Sequence, residues 1–167
     1  MSKLICVTSR TLCPSPFLPR LEAIARAGAG AILLREKDLT PEEYASLACP
    51  VLALCRQAGI PCILHNHPEA ALTLGADALH LPMPALRGLD EAVRARFAQL
   101  GTSCHSLEEA REAQALGCTY ITLGHIFPTG CKPGVPPRGV ELLRQVCRAV
   151  PLPVYAIGGG GPGELPP

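Results

Sequence analysis

Short runs rich in aliphatic and β-branched residues alternate along the chain with longer amphipathic stretches, the sequence sign of parallel α/β architecture. The apolar runs predict seven strands: Leu4 to Thr8, Ala31 to Arg35, Pro61 to Asn66, Ala78 to Leu81, Leu100 to Ser103, Thr119 to Leu123 and Pro153 to Ile157. Between them the pattern predicts helices from Leu18 to Ala27, stopped by Gly28, from Pro41 to Ala58, stopped by Gly59, and from Ser106 to Leu116, stopped by Gly117. Thr40 before Pro41, Glu42 and Glu43 supplies an N-cap, a proline at the first helical position and acid in the first turn. Ser106 followed three residues later by Glu109 has the capping-box spacing.

Such a β/α repeat either closes as a barrel or stays open as a doubly wound sheet. Polar, chemically capable residues end almost every predicted strand, at Thr8, Arg35, Asn66, His80, Ser103 and His125. An open sheet concentrates its chemistry at one switch point, whereas a barrel turns every strand end toward one mouth. The distribution therefore favours an α/β fold of the TIM (β/α)8 type. A closed eight-stranded barrel needs a further helix and strand after Gly158 to Gly161, so the barrel is expected to be truncated after its seventh strand, with the gap open or filled by a partner.

Composition narrows the classes. The 167 residues, 48% of them apolar, suit a single domain, 1–167. The 15 basic and 14 acidic side chains are mixed along the chain and leave a net charge of +1, with no basic field for nucleic acid. A small-molecule partner is expected, without nucleic acid or membrane, because no apolar run approaches the roughly 20 residues of a bilayer span. Nine cysteines with no C-x-x-C pair and no preceding signal peptide predict free thiols and a cytoplasmic location.

Several segments carry candidate chemistry. Arg35-Glu36-Lys37 leaves the second strand, and strand alternation would put Arg35 and Lys37 on one side to meet a phosphate or diphosphate; a solvated charged loop has the same pattern. His65 and His67 at i, i+2 would share a face and hold a metal if other strands completed the ligand set, or else form a polar pocket wall. Thr129 to Lys132 and the glycines at 158 to 161 follow the sixth and seventh strands, where backbone N–H groups of a barrel often hold phosphate. A glycine run near a terminus is also a plain linker. His125, at the end of the sixth strand before a Pro- and Gly-rich loop, would move protons near its ordinary pKa of about 6.5, or simply hydrogen-bond that loop.

The ordered segments Leu34-Arg35-Glu36-Lys37, Ile63-Leu64-His65-Asn66, Gly75 to Leu81, Gly101-Thr102-Ser103-Cys104-His105-Ser106, Gly124-His125-Ile126-Phe127-Pro128-Thr129 with Lys132, and Ala156-Ile157-Gly158-Gly159 resemble the motifs of the thiamine phosphate synthase/TenI superfamily. The resemblance runs over nearly the whole chain and implies a TIM barrel. Its synthase members join a pyrimidine diphosphate to a thiazole phosphate with magnesium. By that resemblance Arg35, Lys37 and Asn66 match the diphosphate-binding positions, and Thr129, Lys132 and Gly159 the phosphate-binding side. Ser103 and Gly158 complete the candidate binding set.

Where synthases carry two magnesium-binding aspartates, this chain has His67 and the run Pro82-Met83-Pro84-Ala85. Hard oxygen ligands are thereby lost. Gly124-His125, with Phe127, Thr129, Cys131-Lys132 and Pro137-Arg138-Gly139, is similar instead to the TenI branch, where the histidine is implicated in thiazole tautomerisation. The expectation is therefore an isomerase, a thiazole tautomerase that aromatises a thiazole carboxylate phosphate with His125 as the proton-transfer residue, no metal site and no cofactor. The alternatives are a thiamine phosphate synthase, with magnesium, and a non-catalytic phosphate-binding or regulatory protein. A small phosphorylated thiazole is the expected partner, and unpaired strand edges make a homo-oligomer possible.

Overall fold

Thr40 opens the longest helix, α2 (Pro41–Ala58), through a complete capping box: its hydroxyl accepts from the Glu43 amide while the Glu43 carboxylate accepts from the Thr40 amide. Tyr44, Ala48, Val51 and Cys55 recur every three or four residues and are all buried, so the helix lays one apolar stripe against the core. These features belong to a computed structural model that describes residues 4–130 and 134–159.

The chain divides into two compact units, Met1–His80 and Leu81–Pro167. In the first, β1 (Ile5–Val7), β2 (Ala31–Leu34), β3 (Cys62–His65) and the start of β4 (Ala78–Pro82) pair in chain order, all parallel. Helices α1 (Phe17–Arg26), α2 and α3 (Pro68–Thr73) connect them, and a 3-10 turn at Arg10–Leu12 follows β1. All four residues of β2 are buried, as expected of a parallel strand covered on both faces.

In the second unit, α4 (Met83–Gly88) and α5 (Glu91–Arg94) precede β5 (Gln99–Cys104), α6 (Leu107–Ala115), β6 (Tyr120–Gly124), α7 (Gly139–Ala149) and β7 (Val154–Ile157). Strands β5, β6 and β7 are parallel, with Cys104, Leu123 and Ala156 in register. Leu100, Ile121, Leu123, Ile126 and Val146 are buried in its core. The Ser106 hydroxyl caps α6 by accepting the Glu109 amide, but the Glu109 carboxylate takes the His105 amide at 2.6 Å, one residue beyond the box geometry that the spacing predicts.

All seven predicted strands are present in the βα order of the TIM-barrel class, and β7 is the last strand among the described residues. No helix among those residues is long and apolar enough to cross a membrane. The eight described cysteines are free thiols.

Candidate functional site

In the first unit β2 ends at Leu34, so the strand alternation expected to align Arg35 with Lys37 stops before it reaches them. Arg35 is half-buried and Lys37 is exposed in a turn. The charges of both nonetheless reach His65. Burial above all, then the charges of Arg35, Lys37 and His67, lower the His65 imidazole to about 4. Burial, then His65, lowers His80 to about 3. The two imidazoles stack with ring centroids 5.9 Å apart. Both are uncharged near neutral pH, leaving Arg35 and Lys37 to set the sign of the charge beside them.

Asn66 has φ 61°, a left-handed conformation that asparagine tolerates, and its amide donates to the His80 carbonyl at 2.9 Å. That reversal breaks the i, i+2 relation expected of His65 and His67. His67 becomes the N-cap residue of α3 and stacks on Tyr44 at 3.9 Å and 26°. Asn66 and His67 line a cavity of about 450 Å³ together with Glu42 and Glu69. Sequence reasoning missed Tyr44, whose hydroxyl joins the ends of β2 and β3 by accepting the His65 amide and donating to the Leu34 carbonyl.

In the second unit Ser103 accepts a hydrogen bond from the Thr122 hydroxyl at 3.2 Å. His125 is 4% exposed, and its Nε2 lies 3.1 Å from the Val135 carbonyl. A carbonyl only accepts, so Nε2 carries a proton, and the buried Nδ1 has no partner among the described residues. The His125 carbonyl accepts the Arg138 amide, and the Ile126 carbonyl accepts the Gly139 amide. The imidazole and the backbone around it thus fasten the returning loop.

Gly158 and Gly159 have φ of 93° and 75°. A Cβ on Gly158 would stand 2.4 Å from the His125 Cβ, and one on Gly159 only 2.3 Å from the Pro128 carbonyl oxygen. The ladder of β6 and β7 continues here, with the Ile126 and Phe127 amides donating to the Ile157 and Gly158 carbonyls. Chain packing alone therefore requires both glycines. Thr129 is half-buried beyond this contact. Lys132 and Cys131, like Gly160 and Gly161, lie outside the described residues.

The magnesium implied by the synthase resemblance can be tested on the donor set. At the first ligand position His67 offers a nitrogen, with its ring against Tyr44, and the second position falls in Pro82-Met83-Pro84-Ala85, which has no side-chain oxygen. Among the described residues no three His, Cys, Asp or Glu side chains are grouped to hold a metal. These residues do not fit a magnesium ion.

The family model described as thiamine monophosphate synthase matches residues 4–167. The thiamine-phosphate synthase of Chlorobium luteolum is 36% identical, with 95% of this chain and 74% of that protein covered. That of Roseiflexus castenholzii is 37% identical over 83% of this chain and 62% of its own length. Among solved structures, the thiamine phosphate pyrophosphorylase from Pyrococcus furiosus superposes with a TM-score of 0.81 at 30% identity, covering 95% of this chain and 75% of that one. These likenesses overturn the expected thiazole tautomerase. That expectation rested on His125 and its loop, whereas whole-chain identity joins this protein to synthases, and His125 itself is buried with Nε2 bonded to Val135. The match from Leu4 onward and the shared βα order place the chain in the thiamine monophosphate synthase family.

Proposed function

We propose that this chain is a transferase of the thiamine-phosphate synthase type, joining a pyrimidine diphosphate to a thiazole phosphate with departure of the diphosphate. The observation that carries the reading is the pair of cations, Arg35 and Lys37, beside an uncharged His65. They stand at the strand ends where the synthase resemblance puts the diphosphate. Arg35 offers a planar fork for two phosphate oxygens and Lys37 a compact charge. As the bond to the diphosphate lengthens, negative charge collects on the leaving oxygen, and cations already in place stabilise it more than they stabilise the bound substrate.

The Asn66 side-chain amide would orient the same group, its backbone amide being taken by the His80 carbonyl. In the second unit, Ser103, Thr129, Lys132 and the Gly158 and Gly159 backbone would receive the thiazole phosphate. His125 would act there by holding the loop that returns at Val135 and Arg138. No residue of the chain is assigned to magnesium, and none of these roles depends on it.

Formation of thiamine phosphate from the two substrates by the purified 167-residue chain tests the reading. Parallel reactions contain magnesium chloride or EDTA, and Arg35→Ala and Lys37→Ala are assayed alongside. Turnover that falls in both variants supports it. A folded wild-type chain that forms no thiamine phosphate in either medium overturns it.

A further inference from the structure

Glu36 sits between two cations assigned to an anionic substrate, where its charge by itself would weaken anion binding. It is only 3% exposed, and among the described residues the hydrogen bonds it accepts come from the segment after β1. The Thr8 hydroxyl, itself 4% exposed, donates to Glu36 Oε1 at 2.5 Å and accepts the Arg35 amide at 3.0 Å. The Arg10 amide, at the start of the 3-10 turn where a helical amide has no internal partner, donates to both carboxylate oxygens at 3.1 and 3.0 Å. The Arg10 guanidinium then reaches Asp38 at 2.6 Å. Residues 35, 36 and 38 are thus tied to residues 8 and 10, within the first unit.

We infer that Glu36 and Thr8 are positioning residues that fix the backbone of Arg35 and Lys37, so that both cations are held ready for a diphosphate. The inference rests on the reading of Arg35 and Lys37 as diphosphate ligands. A buried carboxylate between two cations is consistent with it because the Thr8 hydroxyl and the Arg10 amide engage that charge locally, through charge-assisted bonds about twice as strong as neutral ones.

The sign of a charge-removing substitution separates positioning from a through-space effect. Glu36→Gln keeps the shape and deletes the negative charge beside the cations. If Glu36 acted only through its field, inorganic pyrophosphate would bind more tightly. If it positions the segment, binding weakens by about tenfold, the effect of losing one strong hydrogen bond. Thr8→Val, which leaves the charge in place, should weaken binding by a similar factor, and Thr8→Ser should restore it to within about threefold of wild type.

Calorimetric titration of inorganic pyrophosphate into the full chain and these variants, with Arg35→Ala included and the unfolding temperature of each recorded, separates the two. Weakened binding by folded Glu36→Gln and Thr8→Val, rescued in Thr8→Ser, supports the inference. Wild-type or tighter binding by folded Glu36→Gln, or a Thr8→Val that loses thermal stability but not affinity, overturns it. If Glu36→Gln does not fold, the two Thr8 variants distinguish the outcomes by themselves. Equal binding by wild type and Arg35→Ala, or none by wild type, removes the diphosphate reading and this inference with it. Loss in Arg35→Ala alone removes only the inference.

Discussion

Replacing Tyr44 by Phe removes one oxygen from a fully buried ring, and the register of β2 and β3 shows what that oxygen does. The Ile32 amide donates to the Pro61 carbonyl, and Leu34 is in register with Leu64, so the next rung of a parallel ladder would run from the His65 amide to the Leu34 carbonyl. The Tyr44 hydroxyl stands between them instead, accepting from His65 at 2.8 Å and donating to Leu34 at 2.7 Å. Phenylalanine keeps the apolar contacts and the stack on His67 but leaves one amide and one carbonyl without a partner. Each unpaired buried group costs about 1–3 kcal/mol, so Tyr44→Phe should lose roughly 2–6 kcal/mol. For a chain of this length that lowers Tm by roughly 4–24 °C. Urea unfolding measures the loss, and hydrogen exchange at the His65 amide reports the rung itself. A loss below about 0.5 kcal/mol, the scatter of neutral surface changes, with the His65 amide still protected, would show that the strands close and bond directly. The hydroxyl would then have no spacing role.

Three further outcomes follow from the same geometry. His65 and His80 are held at about 4 and about 3, so between those values and the ordinary value near 6.5 the unfolded chain binds more protons than the folded one. Stability should be full above about pH 7 and fall by several kcal/mol toward about pH 4, while His80→Gln flattens the profile of urea midpoints; equal slopes in variant and wild type would contradict the assignment. Gly159→Ala combines a φ of 75° with a 2.3 Å approach to a carbonyl oxygen and should cost at least about 2 kcal/mol in thermal unfolding. A neutral result would mean that the Pro128 loop yields. At Asn66, Gly should match the wild-type stability while Ala loses about 1 kcal/mol, because only the latter is strained at positive φ. Both should lose pyrophosphate affinity, and retained affinity in Asn66→Gly would remove the side-chain amide from the site.

Much of the fold is legible because its signals are local. Each strand is an apolar run that any window detects, and α2 announces both its ends, in Thr40 with Glu43 and in Gly59. Helices α3, α4 and α5 are only four to six residues long, too short to show a helical period, and α7 begins at Gly139 with no capping side chain. The site divides in the same way. Arg35, Asn66 and His125 are visible as polar residues at strand ends. Tyr44 reads as one more member of an apolar helix stripe, because its function depends on two strands far from it in sequence. Glu36 reads as a solvated charge, because nothing local shows that Thr8 and Arg10 will enclose it. The histidine pair misleads for a backbone reason: alternation holds through His65 and fails at Asn66, where the chain turns left-handed.

The side chains around the ends of β2 and β3 sort their charges by burial. Glu36 is enclosed and accepts bonds from three donor contacts, His65 and His80 are stripped of their protons by burial, and His67 lies against an aromatic ring. Arg35, half-buried, and Lys37, exposed, are the cations beside them, while Glu42 and Glu69 supply negative charge to the cavity next to Asn66 and His67. An aspartate in place of His67 would add a negative charge there and, with it, a reason for a divalent cation to bind. On the function proposed above, this chain would instead meet a diphosphate with its own cations, one partly shielded from salt and one exposed to it. Their placement then depends on the short segment that carries them, and that segment is anchored by Thr8, Arg10 and Glu36 rather than by the strand it follows.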